Sequence, residues 1–332
     1  MNQPGDTVSN SSTSTPVTLV VYRDLRIGLA VTMAMFAAAI IIEVGGKHCV
    51  QGALSEYFYT PAHSIFIATL IGFGTLFFIY RGSSDSEDAL LTLAGVAALI
   101  AALVPQGRPE LCSPSFVPEG FKTEVIVRPN VWAVVVALLL GWSVTWWKNR
   151  SNHPSQTRSA GGTLALYFLR LVVVVGLLCL IFKKDWFLIH AHGAAGVLML
   201  SAFIATVFTT AHLAKKEIRS PDRADYAGFY TAIAWLMVVT LIAVVALHIT
   251  RPHWFLIPWI TVLEALLILE FLAYWLAQTV ELWDTPDRAE RLSDADQERL
   301  AHQSEQSGMP GLMTEMRRVW NAPAGEKLMN FL

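Results

Sequence analysis

Residues 33–42 read MAMFAAAIII and residues 131–140 read VWAVVVALLL. Neither decapeptide leaves a polar face at a helical period, and neither alternates as a strand with one wet side does. Runs apolar on every face recur along the chain at roughly 26–43, 63–80, 88–105, 130–147, 163–182, 189–213, 226–248 and 254–278. A run of ~20 residues rising ~1.5 Å each spans a hydrocarbon core of about 30 Å. Hydrophobic residues make up 54% of the chain, charged ones 15%, and the mean hydropathy is +0.47. The reading is an all-α, polytopic transmembrane helix bundle of about eight helices, because lipid obliges the backbone to bond to itself and no barrel alternation is present.

Lys and Arg in the loops orient the bundle. The amino-terminal arm, the even-numbered loops and the carboxy-terminal tail collect sixteen of them, against seven on the other side. Both termini are therefore expected in the cytoplasm. Residues 1–25 are expected to form a disordered arm, opening on the Ser/Thr-rich MNQPGDTVSNSSTSTP, which has neither the basic start nor the apolar stretch of a signal peptide. Residues 26–280 form the membrane domain, and residues 281–332 a cytoplasmic tail with an amphipathic helix near Leu312–Trp320 that could lie on the bilayer or dock a protein partner. The net charge of −2 gives no reason to expect a nucleic-acid partner. Cys49 and Cys112 both fall in loops on the outer, oxidising side; they are either a disulfide or two thiols that share a face, while Cys179 reads as a small buried side chain.

Ionisable groups concentrate at the outer helix ends. The first outer loop supplies His48, Ser55, Glu56, Tyr57, Tyr59 and His63, with Glu43 just before it, and later entries bring Asp185, His190, His192, His248 and His253. Imidazole and carboxylate together can hold a metal, and His63, His190 and His192 are the candidates for it. No His-x-x-x-His pair puts two ligands on one helix face, and His190 and His192 diverge by about 200°. No metal and no cofactor is therefore expected, and no glycine-rich phosphate loop interrupts the cytoplasmic segments.

Charge within the membrane is costly and so informative. Arg170 and Glu270 each fall ~10–12 Å inside the inner end of their helices by the helical rise. An Arg170–Glu270 ion pair is the expected way to tolerate both. Glu264 lies deeper, about 240° around the same helix from Glu270, so the two carboxylates do not form a dyad.

The order of landmarks resembles the Frag/DRAM/Sfk family of multi-pass membrane proteins: Ser55, Pro61 and Phe66, then Arg81, then the small-residue helix LAGVAALIAAL, then His190-x-x-Gly193-Ala194, then Glu264 and Phe271. SEYFYTPAHSIF and EDALLTLAGVAALIAAL are closer still to a set of uncharacterised bacterial, largely actinobacterial, membrane proteins. The resemblance implies a six-helix core, with 130–147 and 163–182 as an inserted hairpin, and a role in membrane-lipid or cell-envelope organisation. It also implies a bacterial plasma-membrane location, membrane lipids as partners, and an outer-leaflet polar cavity around Ser55, Glu56, Tyr57, His190 and Glu264. Three further readings stay open. A proton-coupled transporter would use Arg170, Glu264 and Glu270, and a scaffold subunit would use the tail. A lipid hydrolase or acyltransferase would use Ser55, His190 and Glu264 as nucleophile, base and orienter, although no nucleophile elbow is present.

Overall fold

The computed structural model describes residues 16–108, 110–112, 115–118, 123–151, 160–217, 225–250, 258–284 and 288–291. Among these the chain forms α1 (Pro16–Lys47), a 3₁₀ segment η1 (Leu54–Tyr59), α2 (His63–Ile79), α3 (Asp85–Leu103), α4 (Thr123–Ser151), α5 (Ala160–Phe182), α6 (Lys184–Lys216), α7 (Tyr226–Thr250), α8 (Trp259–Glu281) and a second 3₁₀ turn η2 (Arg288–Arg291). Six helices are long and apolar enough to cross a membrane, namely α1, α3, α5, α6, α7 and α8; the apolar parts of α2 and α4 are shorter, at His63–Ile79 and Pro129–Ser143. Helix α1 takes in residues 16–25, which the sequence reading leaves to the arm. The tail beyond 291, with its expected amphipathic helix, lies outside the described residues.

Helix α3 is the axis. An apolar 18-residue stretch of it has 61% of its residues buried, against 6% for such a stretch of α5, and it packs on both α2 and α6. The sequence provides for this with a face of Ala94, Ala97, Ala98, Ala101 and Ala102, all buried. Where α2 and α3 cross, a Cβ on Gly74 would sit 2.6 Å from Leu99 Cγ and one on Gly95 3.0 Å from the Gly74 carbonyl oxygen. Backbones that close require glycine, the usual solution where lipid supplies no hydrophobic push between helices. The start of α3 is set by Ser84, whose Oγ accepts the Glu87 N–H at 3.2 Å, with Asp85, Glu87 and Asp88 in the first turn.

Helices α1, α2, α3, α6 and α8 close around an aromatic layer of Phe77, Phe203, Phe271 and Trp275, none more than 1% exposed. Phe203 and Phe271 stack at 4.0 Å, and Phe77 meets both edge-on. Helix α7 packs on α6 and α8, while α5 packs on α3 and α6, and α4 on α3. The outer surface carries Ile42, Val197, Ile242 and Ile249 in the open. Such a girdle suits lipid and not water.

Candidate functional site

Two buried polar clusters flank the aromatic layer, one at each end of the bundle. The first is built around η1. Helix α1 ends at Lys47, and His48 takes the left-handed conformation (φ 52°) with its N–H on the Val44 carbonyl at 2.8 Å, which turns the chain back over the bundle. The next residues are tied down by the Cys49–Cys112 disulfide, whose Cα atoms are 6.0 Å apart. All six residues of η1 are buried. The expected site residues Ser55, Glu56 and Tyr57 thus lie on a buried segment of the chain.

Three carboxylates grip this segment by its backbone. Glu43 of α1 accepts the Ala62 N–H at 3.1 Å and the Thr60 hydroxyl at 3.0 Å. Glu56 accepts the Gly52 N–H at 2.7 Å, and Glu264 of α8 accepts the Leu54 N–H at 2.8 Å. Around them the Thr261 hydroxyl donates to the Gln51 carbonyl at 2.7 Å, Ser55 Oγ to Gln106 Oε1 at 2.8 Å, and the Tyr59 hydroxyl to the Gln106 carbonyl at 2.6 Å. Burial pushes the Glu56 carboxyl above the usual carboxylate range, against the pull of the Gly52 and Ala53 backbone. Burial also raises the Tyr57 and Tyr59 phenols. Among the described residues no Lys, Arg or His forms an ion pair with Glu43, Glu56 or Glu264.

Of the expected residues, Ser55, Glu56, Tyr57 and Glu264 come together and His190 does not. His190 is exposed on α6, its ring stacked on Trp186 at 4.6 Å and its Nδ1 on the Trp186 carbonyl at 2.9 Å. His192 is the buried one, with Nδ1 on the Val104 carbonyl at 2.7 Å, where it ties the end of α3 to α6. Two residues apart on a helix, only one of the pair can face the bundle. Ser55 therefore has Gln106 for its hydroxyl proton, and the Ser55–His190–Glu264 arrangement of a nucleophile with its base is not formed. His63 points Nδ1 at the Phe58 carbonyl and packs on the Phe58 ring at 4.4 Å. Among the described residues no three His, Cys, Asp or Glu side chains converge on a point where a metal could sit.

The expected Arg170–Glu270 ion pair is also replaced. Glu270 takes the Thr240 hydroxyl of α7 at 2.5 Å, and Arg170 lies exposed with its guanidinium 5.8 Å from the Tyr167 ring centre. The reason is topological: α5 packs on α3 and α6, away from the side of α8 that faces α7.

The second cluster, at the opposite end, was not foreseen. Arg26 of α1 and Glu87 of α3 are buried there, and so is Arg288 of η2. Glu87 accepts the Ser83 N–H at 2.9 Å, Gln278 Nε2 at 3.3 Å and the Tyr274 hydroxyl at 3.4 Å. Arg288 bonds Glu281 Oε2 at 2.5 Å and also Glu217, joining the ends of α6 and α8, and Tyr230 of α7 donates to the same Glu281 at 2.6 Å. Position within the helix ends was the only sequence signal for these groups, and there Lys and Arg read first as loop charge.

No family model, no curated protein and no solved structure matches this chain.

Proposed function

We propose that this chain is a plasma-membrane protein of a bacterium, with eight spans and both termini in the cytoplasm, acting in membrane-lipid or cell-envelope organisation through the η1 cluster. The orientation is supported by the bias of Lys and Arg toward the opposite end and by the Cys49–Cys112 disulfide beside η1, a bond that belongs on an oxidising side. The motif order from Ser55 to Phe271 supports the lipid-related role.

One observation carries the reading: among the described residues, three glutamates meet one buried segment with only neutral donors for company. A set of carboxylates without a cation of its own complements a cationic group, such as the ammonium of an aminophospholipid headgroup in the outer leaflet. That headgroup would compete with the backbone of η1 for the same oxygens. The experiment is binding of phosphatidylethanolamine against phosphatidylglycerol in nanodiscs, together with the lipid composition of cells carrying Glu43→Gln and Glu264→Gln. Weaker phosphatidylethanolamine binding and an altered composition are expected in the variants. Identical binding and composition in wild type and variants would sink the reading.

A second reading, a proton-coupled transporter, is favoured by carboxylates on both sides of the aromatic layer, the half-buried Glu264 toward η1 and the buried Glu87 toward η2. It requires flux in proteoliposomes that follows a pH gradient and is lost in Glu87→Gln.

A further inference from the structure

Helix α5 crosses a membrane with little length to spare. Its apolar span, Gly161–Phe182, has 22 residues, which rise ~33 Å against a hydrocarbon core of about 30 Å. Lys183 and Lys184 follow at once, both exposed. Arg170 stands near the middle, ~13 Å from Gly161 and ~18 Å from Phe182 by the helical rise. Sliding α5 to bring the guanidinium to the nearer surface would drag both lysines into hydrocarbon.

Arg170 also points away from the bundle. It is exposed, its guanidinium carbon is 5.8 Å from the Tyr167 ring centre, and among the described residues it makes no hydrogen bond and no ion pair. Tyr167, Leu171 and Val174 are exposed beside it, and in an apolar 18-residue stretch of α5 only 6% of residues are buried. Leucine and valine suit lipid there. An arginine at that depth ordinarily faces a bundle interior and pairs with an acid. The tyrosine ring offers the charge a π face, but no acceptor for five N–H donors.

An anion at mid-depth would complete this face. Phospholipid phosphates lie at the surface, ~13 Å away along the helix. A second copy paired α5 to α5 about a two-fold axis would set Arg170 against Arg170. Nor does a second copy present a free carboxylate at this depth among the described residues. Glu264 is taken up by the Leu54 N–H, and Glu270 by the Thr240 hydroxyl with its other oxygen buried.

We propose that the Arg170 face of α5 docks a membrane-spanning helix of a different protein that carries an Asp or Glu at mid-depth. The planar guanidinium binds that carboxylate through two parallel N–H···O bonds. The face is separate from η1, and the proposal requires only that the chain span a membrane.

The probe is a synthetic Leu/Ala peptide of about 22 residues, long enough to span, with one Glu at its centre, compared with the same peptide carrying Gln there. A central residue reaches the depth of Arg170 whichever way the peptide inserts. Energy transfer between dye-labelled full-length protein and peptide in phosphatidylcholine vesicles measures binding. The Glu peptide is expected to bind about tenfold more tightly than the Gln peptide. Arg170→Leu is expected to abolish that difference and to leave the unfolding temperature near wild type, as at an exposed position. Equal binding of both peptides to wild type overturns the proposal and assigns Arg170 to water and headgroups drawn inward. A preference that survives in Arg170→Leu overturns it as well, because the carboxylate then binds elsewhere. Self-association of the wild type in the same vesicles, lost both in Arg170→Leu and in Glu270→Gln, overturns it in favour of a second copy. Should Arg170→Leu fail to fold, Arg170→Gln takes its place, with the same expected and overturning results.

Discussion

The two ends of this bundle solve the burial of charge in opposite ways. At the η1 end, carboxylates from α1, η1 and α8 each take backbone N–H groups of one short segment, and a covalent bond anchors it. At the η2 end, the Arg288 guanidinium takes the carboxylates of Glu217 and Glu281, which stand at the ends of two different helices. The first arrangement holds a segment against the bundle. The second holds helices to one another, so damage there is expected to spread further.

Arg288→Ala tests that difference most severely. It takes the cation from Glu217 and leaves Glu281 only Arg291, at 3.8 Å, and removing one partner of a buried pair destabilises by about 3–5 kcal/mol. Thermal unfolding in detergent should show a large loss, with hydrogen exchange rising across the ends of α6, α7 and α8 together. Cys49→Ser should weigh less, about 2–4 kcal/mol, and the rise in exchange should stay within the segment 49–62 and around Cys112. If both variants open the same regions, the contrast between the ends is wrong.

Two histidine variants refine the η1 end further. His192→Ala removes the donor to the buried Val104 carbonyl, at a cost of about 1–3 kcal/mol, whereas His190→Ala is expected to fall within about 0.5 kcal/mol of wild type, as exposed substitutions do. An equal loss in both would mean that α6 is rotated from its observed register.

The smallest effect is a pH slope. Burial raises the Glu56 carboxyl in the folded protein above its ordinary value of 4.5. The folded state then holds the proton more tightly than the unfolded one, so this group's stabilisation is complete below 4.5 and is lost as the pH rises through the raised value. Glu56→Gln keeps an oxygen for the Gly52 N–H and cannot ionise. Its unfolding temperature should exceed wild type at neutral pH and converge on it in acid. Burial raises Glu217 at the other end in the same direction, against the pull of Arg288, so Glu217 is expected to contribute to the slope that remains in Glu56→Gln.

Much of the fold was legible in residues. The apolar runs marked each α-helix among the described residues, and the loop positions of Cys49 and Cys112 made the disulfide one of two readings. Half of the η1 cluster was legible too, because Ser55, Glu56 and Tyr57 are adjacent in the chain. Glu43, Gln106 and Thr261 were not read as members of it, since their membership depends on how the chain turns at His48. The expected His190 is exposed, and His192 is the one that faces the bundle. Spacing shows that His190 and His192 diverge, yet nothing in the spacing says which one the bundle faces.

Hydrophobicity is a property each residue carries with it, and in a bilayer it suffices to dictate helix, approximate length and burial in lipid. The sequence alone therefore determined a helical membrane bundle. Which polar group meets which is a property of pairs. Glu264 with Leu54, Arg288 with Glu281, and Arg26 with Tyr22 and Tyr80 are set by the rotation of each helix and by which helices are neighbours. Those are decided by the glycine crossing of α2 on α3 and by the aromatic packing between the two ends, which exist only once the chain is folded.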